Sequence, residues 1–217
     1  PVIVPAPLGE ARDVALSSLR VAYYCDNGIA TPTQETVQVV EHAANALGAR
    51  GAAITEVRPP RMEESDGLLV RLFLADGGAA VRELLRRSHT DLSDMHPSID
   101  WTQSQPPLGA AEMSALLAEW NIYRSQMLAF MEEYDVILCP ASATPAPRHD
   151  DPAPLDPTYA SAYNLTGWPV VVVRGGTARE GLPIGVQVVA RPWREDVALA
   201  AAQEIERVSG GWQAPTL

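Results

Sequence analysis

Nucleophilic chemistry at an acyl carbon needs a hydroxyl or thiol whose proton is taken by a poised base, and donors for the oxyanion that develops. In this 217-residue chain the choice of base is narrow: there are four histidines and no lysine, because all sixteen basic residues are arginine. Lysine-dependent catalysis is therefore closed to these residues acting alone. The serines do not gather either. Ser17-Ser18 is the only adjacent pair, and it sits in no glycine-rich context. His89, Asp91, Asp94, His96 and Asp100 crowd one stretch and His149-Asp150-Asp151 another. Neither follows a tight ligand spacing, so no metal site is assigned and no cofactor is called for. His42 falls on a solvated helix face. Cys25 and Cys139 each end a strand-like run and read as separate buried thiols rather than a disulfide. An amino-terminal proline such as Pro1 can serve as a base when a strand follows it, but Pro5 and Pro7 interrupt any strand here.

The elements that would position chemistry are easier to read. Residues 134–192 hold three β-type runs: 135–139 (Asp-Val-Ile-Leu-Cys) stopped by Pro140, 170–173 (four valines), and 184–190 (Ile-Gly-Val-Gln-Val-Val-Ala). Runs apolar at nearly every residue predict strands covered on both faces of a central sheet. The glycines at 175, 176, 181 and 185 permit a hairpin-like return between the last two runs. Upstream, 19–24 and 52–57 are strand candidates flanking a helix. Thr31-Pro32-Thr33-Gln34 supplies an N-cap threonine, a proline at the first helical position and a glutamine three on. Val37, Val40, Ala44 and Leu47 form its apolar face, and the unit predicts parallel strands. Residues 62–88 carry two helical pieces, broken at Gly77-Gly78, that should cover the sheet. Residues 89–108 lose all periodicity and form a long loop. The longest helix runs over 110–134 with a stripe of Met113, Leu116, Leu117, Trp120, Met127 and Met131. A proline-rich loop spans 145–157, a short helix 159–166 ends at Gly167, and a last helix covers 195–208 with Gly210-Gly211 beyond it.

Three of these segments carry a resemblance. Asp135-Val-Ile-Leu-Cys-Pro140 with its proline-rich loop, Asn164-Leu-Thr-Gly-Trp-Pro169 before a valine strand, and Gly181-Leu-Pro-Ile-Gly-Val-Gln-Val-Val-Ala190 followed by Arg191-Pro192 resemble the C-terminal blocks of the amidase signature family. The likeness reaches back more loosely to Leu19, and it covers only the second half of such an enzyme. It implies an α/β fold with a mixed, mostly parallel sheet between helices, residues 1–217 being the C-terminal part of a single amidase domain. It implies hydrolysis of a carboxamide to acid and amine by a serine, cis-serine, lysine set. None of that set can be carried over onto this chain, so the resemblance places it in an N-terminal half, on the same polypeptide or another. The residues expected to form the substrate wall are Trp101 in the long loop and Asn164, Thr166 and Trp168 around the turn. Asn164 and Thr166 have a competing role as caps of the short helix, and the two tryptophans as core. Two alternatives stay open: an amidotransferase subunit that releases ammonia from glutamine, and a noncatalytic scaffold that kept the fold.

Composition narrows the partners. A net charge of -11 and a pI near 4.7 oppose nucleic acid and anionic membrane surfaces, which are bound through clustered Lys and Arg. No apolar run reaches the ~18–20 residues of a membrane span, and no secretory leader is evident. The expectation is a cytoplasmic protein whose partners are a small amide substrate and the N-terminal half of the amidase, with room for a homodimer of the complete enzyme.

Overall fold

The computed structural model describes residues 8–91, 94, 106–148 and 157–214. Trp101, Pro1, His96, Asp100 and residues 149–151 lie outside them. Five strands form one sheet in the order β2-β1-β3-β5-β4: β1 Arg20–Tyr23, β2 Ala53–Glu56, β3 Val136–Pro140, β4 Val170–Thr177 and β5 Pro183–Ala190. β1 pairs in parallel with β2 and with β3, while β5 runs antiparallel to both β3 and β4. Four strands thus share one direction and β5 opposes them, so the mixed sheet expected from sequence is present, with half its pairings antiparallel.

Two helical layers sandwich the sheet. On one face α1 (Gln34–Ala49) and α6 (Glu195–Val208) bury Val40, Leu47, Val197 and Ile205 against Val21, Leu138, Val186 and Val188. On the other, α2 (Ser65–Phe73), α4 (Ala110–Met131) and α5 (Thr158–Thr166) bury Leu68, Leu116, Met127 and Tyr159 against Ala22, Ile137, Cys139 and Val189. The alternation of these strand residues between the two layers is the period-two signature of strands with both faces covered. α3 (Ala79–Ser88) departs from expectation: it has no buried residue and Leu84 is 66% exposed, so it does not cover the sheet.

Three local details correct the sequence reading. α1 is capped by Thr33, whose side chain accepts from the Thr36 N–H, and not by Thr31. Thr33 also donates its own N–H to the carbonyl of Ala143, so a tertiary contact selects between the two threonines. β4 runs on to Thr177, past Gly175 and Gly176. A Cβ at either glycine would come within 2.5 Å of Val186 or Val39, so these residues serve close approach of α1 to the sheet; the turn itself is made at Gly181, with φ of +84°. Finally, β4 is an edge strand, and Val172 is 58% exposed rather than covered. Cys25 and Cys139 are both free thiols. Among the described residues no helix is long and apolar enough to cross a membrane.

Candidate functional site

The turn expected to form a substrate wall is built at the C-terminal end of α5. Gly167, with φ of +69°, donates its N–H to the Tyr163 carbonyl and ends the helix. Thr166 is buried and its hydroxyl bonds back to the same carbonyl at 3.3 Å, so it is a helix-end residue. Asn164 points outward and is exposed. Trp168 is 7% exposed and packs in the layer of α2, α4 and α5. Its indole also lines a cleft of about 320 Å³ shared with Pro169, Trp193, Glu195, Arg124 and Leu128. The structure thus brings Thr166 and Trp168 together and leaves Asn164 on the surface.

Direction matters for what this turn can do. Trp168 precedes β4, and β4 runs with β1, β2 and β3, so the cleft lies at the amino ends of the four co-directional strands. Open α/β sheets place ligands beyond the carboxyl ends.

At those carboxyl ends the chain builds a polar constellation that the sequence reading missed. Gln187, 4% exposed in the middle of β5, donates from its amide nitrogen to the carbonyls of Pro140 (2.8 Å) and Tyr159 (3.0 Å). Tyr159 carries its hydroxyl to the carbonyls of Cys25 (2.8 Å) and Ala30 (3.1 Å). Asn27, wholly buried, donates from Nδ2 to the Thr158 hydroxyl, and its Oδ1 accepts the N–H groups of Ile29 and Ala30. The loops after β1 and β3 and the first turn of α5 are thereby tied into one rigid unit. Beneath it Tyr24 and Tyr163 share a hydroxyl hydrogen bond of 2.9 Å, and the Cys139 thiol lies 3.8 Å from the Tyr163 oxygen. Burial raises both tyrosines well above their ordinary range and pushes the Cys139 thiol up to about 12, so all three stay neutral. The available signals were a glutamine interrupting a valine strand and an Asn-Gly pair just past the end of β1.

At the opposite end Asp135 anchors the start of β3. It accepts a two-pronged pair from Arg20 at 3.1 Å and lies 3.2 Å from Arg191. Burial works against its charge, and the Arg20 hydrogen bonds outweigh it and hold the carboxyl below its usual range. This is structural charge, spent on joining β1 to β3.

The sequence model of the Amidase family matches residues 4–199. The chain belongs to the amidase family. It is similar to fatty acid amide hydrolase 1 of Caenorhabditis elegans, with 26% identity over 95% of this chain and 46% of that protein. It is also similar to fatty-acid amide hydrolase 2 of Homo sapiens, with 28% identity over 82% of this chain and 37% of that protein. Among solved structures, a fatty acid amide hydrolase superposes with a TM-score of 0.79 at 19% identity, over 95% of this chain and 42% of that one. This amidase-family chain therefore spans less than half the length of the relatives it matches. Its mixed sheet between helices is the fold those relatives share.

Proposed function

We propose that this chain is the C-terminal part of an amidohydrolase that cleaves a carboxamide to a carboxylic acid and an amine or ammonia, with the serine, cis-serine and lysine supplied by the half of the domain it does not contain. The observation that carries the reading is the pairing of an amidase-family match over residues 4–199 with a sequence devoid of lysine. A lysine-activated serine cannot be assembled from these residues, whereas a rigid substrate-facing wall can. In this reading the wall is the unit tied by Gln187, Tyr159 and Asn27 at the carboxyl ends of β1 and β3. Its buried, hydrogen-bonded amides hold the loop positions that a reacting group must find preset. Thr166 and Trp168 contribute indirectly, by fixing the far end of α5.

The test compares two preparations on one simple aryl amide: this chain, and the same chain with the remaining half of the amidase domain. Turnover by the second alone, with a fluorophosphonate labelling a serine outside these 217 residues, is the expected result. Turnover by the 217-residue chain with label on one of its own serines would sink the proposal.

A further inference from the structure

Two charged side chains line the cleft beside Trp168 without meeting each other. With 27 acidic residues for sixteen arginines, most arginines of this chain find a carboxylate or a backbone carbonyl, as Arg20, Arg61, Arg191 and Arg194 do. Arg124 does not. Its guanidinium lies over the Trp120 ring at 5.3 Å and forms no ion pair or hydrogen bond among the described residues. Stacking uses the face of that group and leaves its in-plane N–H donors free. The ring beneath it is fixed, because the Trp120 Nε1–H donates to the Leu165 carbonyl of α5 at 2.8 Å. α4 thus presents a cation to the cleft from a set place.

The anion comes from Glu195, the first residue of α6. One of its carboxylate oxygens is enclosed with no hydrogen-bond partner among the described residues, while the residue as a whole is only part-buried and lines the cleft. A carboxylate deprived of solvent at one oxygen, and given no donor there, holds its charge at a cost that a cation at the other oxygen offsets. Between the two charges the walls are apolar: Trp168, Leu128 and, on the rim, the 64% exposed Trp193. There is room above the turn, since a Cβ at Gly167 would meet nothing within 4 Å. The volume of about 320 Å³ is at the small end of ligand pockets.

A ligand complementary to this cleft carries both signs. An ammonium alone would face the Arg124 guanidinium, and a carboxylate alone would face Glu195, like charge against like between apolar walls. We propose that the cleft between α4 and the start of α6 is a binding site for a free amino acid in its zwitterionic form. Its ammonium donates to Glu195, its carboxylate accepts from Arg124, and its hydrocarbon body lies against Trp168. The assignment is independent of the proposed function, for the cleft sits at the C-terminal end of α5 and Tyr159 at the amino-terminal end.

The test uses the complete protein with isotope-labelled tryptophan and follows the indole N–H signals of Trp168 and Trp193 by NMR as leucine or δ-aminovalerate is added. Expected is a saturable shift of both signals at roughly millimolar concentration, and the tighter of the two ligands tells an α-amino acid from an ω-amino acid. Pentylamine and pentanoate, which keep one charge each, should bind roughly tenfold or more weakly. The variants should cross over. Glu195→Gln weakens the amino acid by roughly tenfold or more and pentylamine with it, but not pentanoate; Arg124→Gln weakens the amino acid and pentanoate, but not pentylamine. Both side chains reach the surface, and a thermal melt checks that each variant is folded; should one fail, the other carries the same comparison. Silent indoles with both amino acids up to about 50 mM overturn the site. So does a shift that pentylamine or pentanoate reproduces at equal concentration, or one that survives both variants. A double variant no less stable than either single one, with no response to amino acids, assigns the two charges to each other as a salt bridge and overturns it as well.

Discussion

Replacing Trp168 by alanine separates a substrate wall from a core residue. The indole is 7% exposed and packed among α4, α5 and β5 residues such as Leu165 and Val189. Truncating a buried aromatic to alanine costs about 3–5 kcal/mol through lost transfer energy and the cavity left behind. The open side of the cleft allows some relaxation, which favours the lower end, about 3 kcal/mol. In a complete amidase of roughly 400–500 residues, an unfolding entropy of about 2.1 cal/mol/K per residue sums to about 1 kcal/mol/K, so the melting temperature should fall by about 3 °C. A wall position would instead act through differential binding of about 1–3 kcal/mol, a roughly 5- to 150-fold change in the kcat/KM ratio between a short and a bulky amide. Because Trp168 stands at the amino ends of the co-directional strands, the ratio is expected to stay within about twofold. The assay is kcat/KM for one short and one bulky amide beside a thermal melt on the same preparations. A ratio shifted more than fivefold with an unchanged melt would refute the placement of the substrate wall at the carboxyl ends.

Other outcomes follow from the buried polar groups. Gln187→Leu keeps the volume but leaves the Pro140 carbonyl without its donor, and should cost about 1–3 kcal/mol in urea unfolding; a loss below about 0.5 kcal/mol would mean another donor replaces the amide. Burial pushes the Cys139 thiol, 0% exposed, up to about 12, so it should not react with thiol reagents at neutral pH until the protein unfolds, and rapid native labelling there would contradict its placement; the half-buried Cys25, pushed up to about 11, should label slowly but before Cys139. Asp196 is held below the usual carboxylate range by its two-pronged hydrogen bonds from Arg194 (2.9 and 3.0 Å) and by the Val197 N–H. Its stabilisation is therefore complete above the unfolded pKa of about 3.9 and is lost as pH falls through the lower folded value. Asp196→Asn should flatten the decline in melting temperature between pH 5 and 3, and an unaltered decline counts against the pair.

What the sequence disclosed depended on whether the deciding interaction was local. β3 and β5 were legible because consecutive β-branched residues suit a strand buried on both faces, and α6 because acidic residues open it and glycines follow it. The cap of α1 was misplaced by two residues, since both threonines fit the local pattern and only the Ala143 carbonyl, brought from the far side of the sheet, chooses Thr33. The extension of β4 through Gly175-Gly176 was hidden because glycine pairs signal turns, whereas here they make room for Val39. Tyr123, buried in α4, was not assigned to that helix's stripe, which instead included the part-exposed Leu117. The candidate site was least legible. Gln187, Tyr159 and Asn27 come from three distant segments, and their meaning lies in hydrogen bonds across β3 that no spacing announces.

The inequality of the two sheet edges also sets a limit on self-assembly. A chain with two open edges could add neighbours without end, as stacked strands do in fibrils. Here β2 is four residues long with Thr55 and Glu56 exposed, a poor template for further pairing, so among the described residues β4 is the one long edge that each copy offers. Two copies meeting edge to edge at β4 would use it up in one isologous, two-fold contact, and the association would terminate there. A preparation of this chain by itself should therefore sediment as monomer and dimer, without a ladder of higher species.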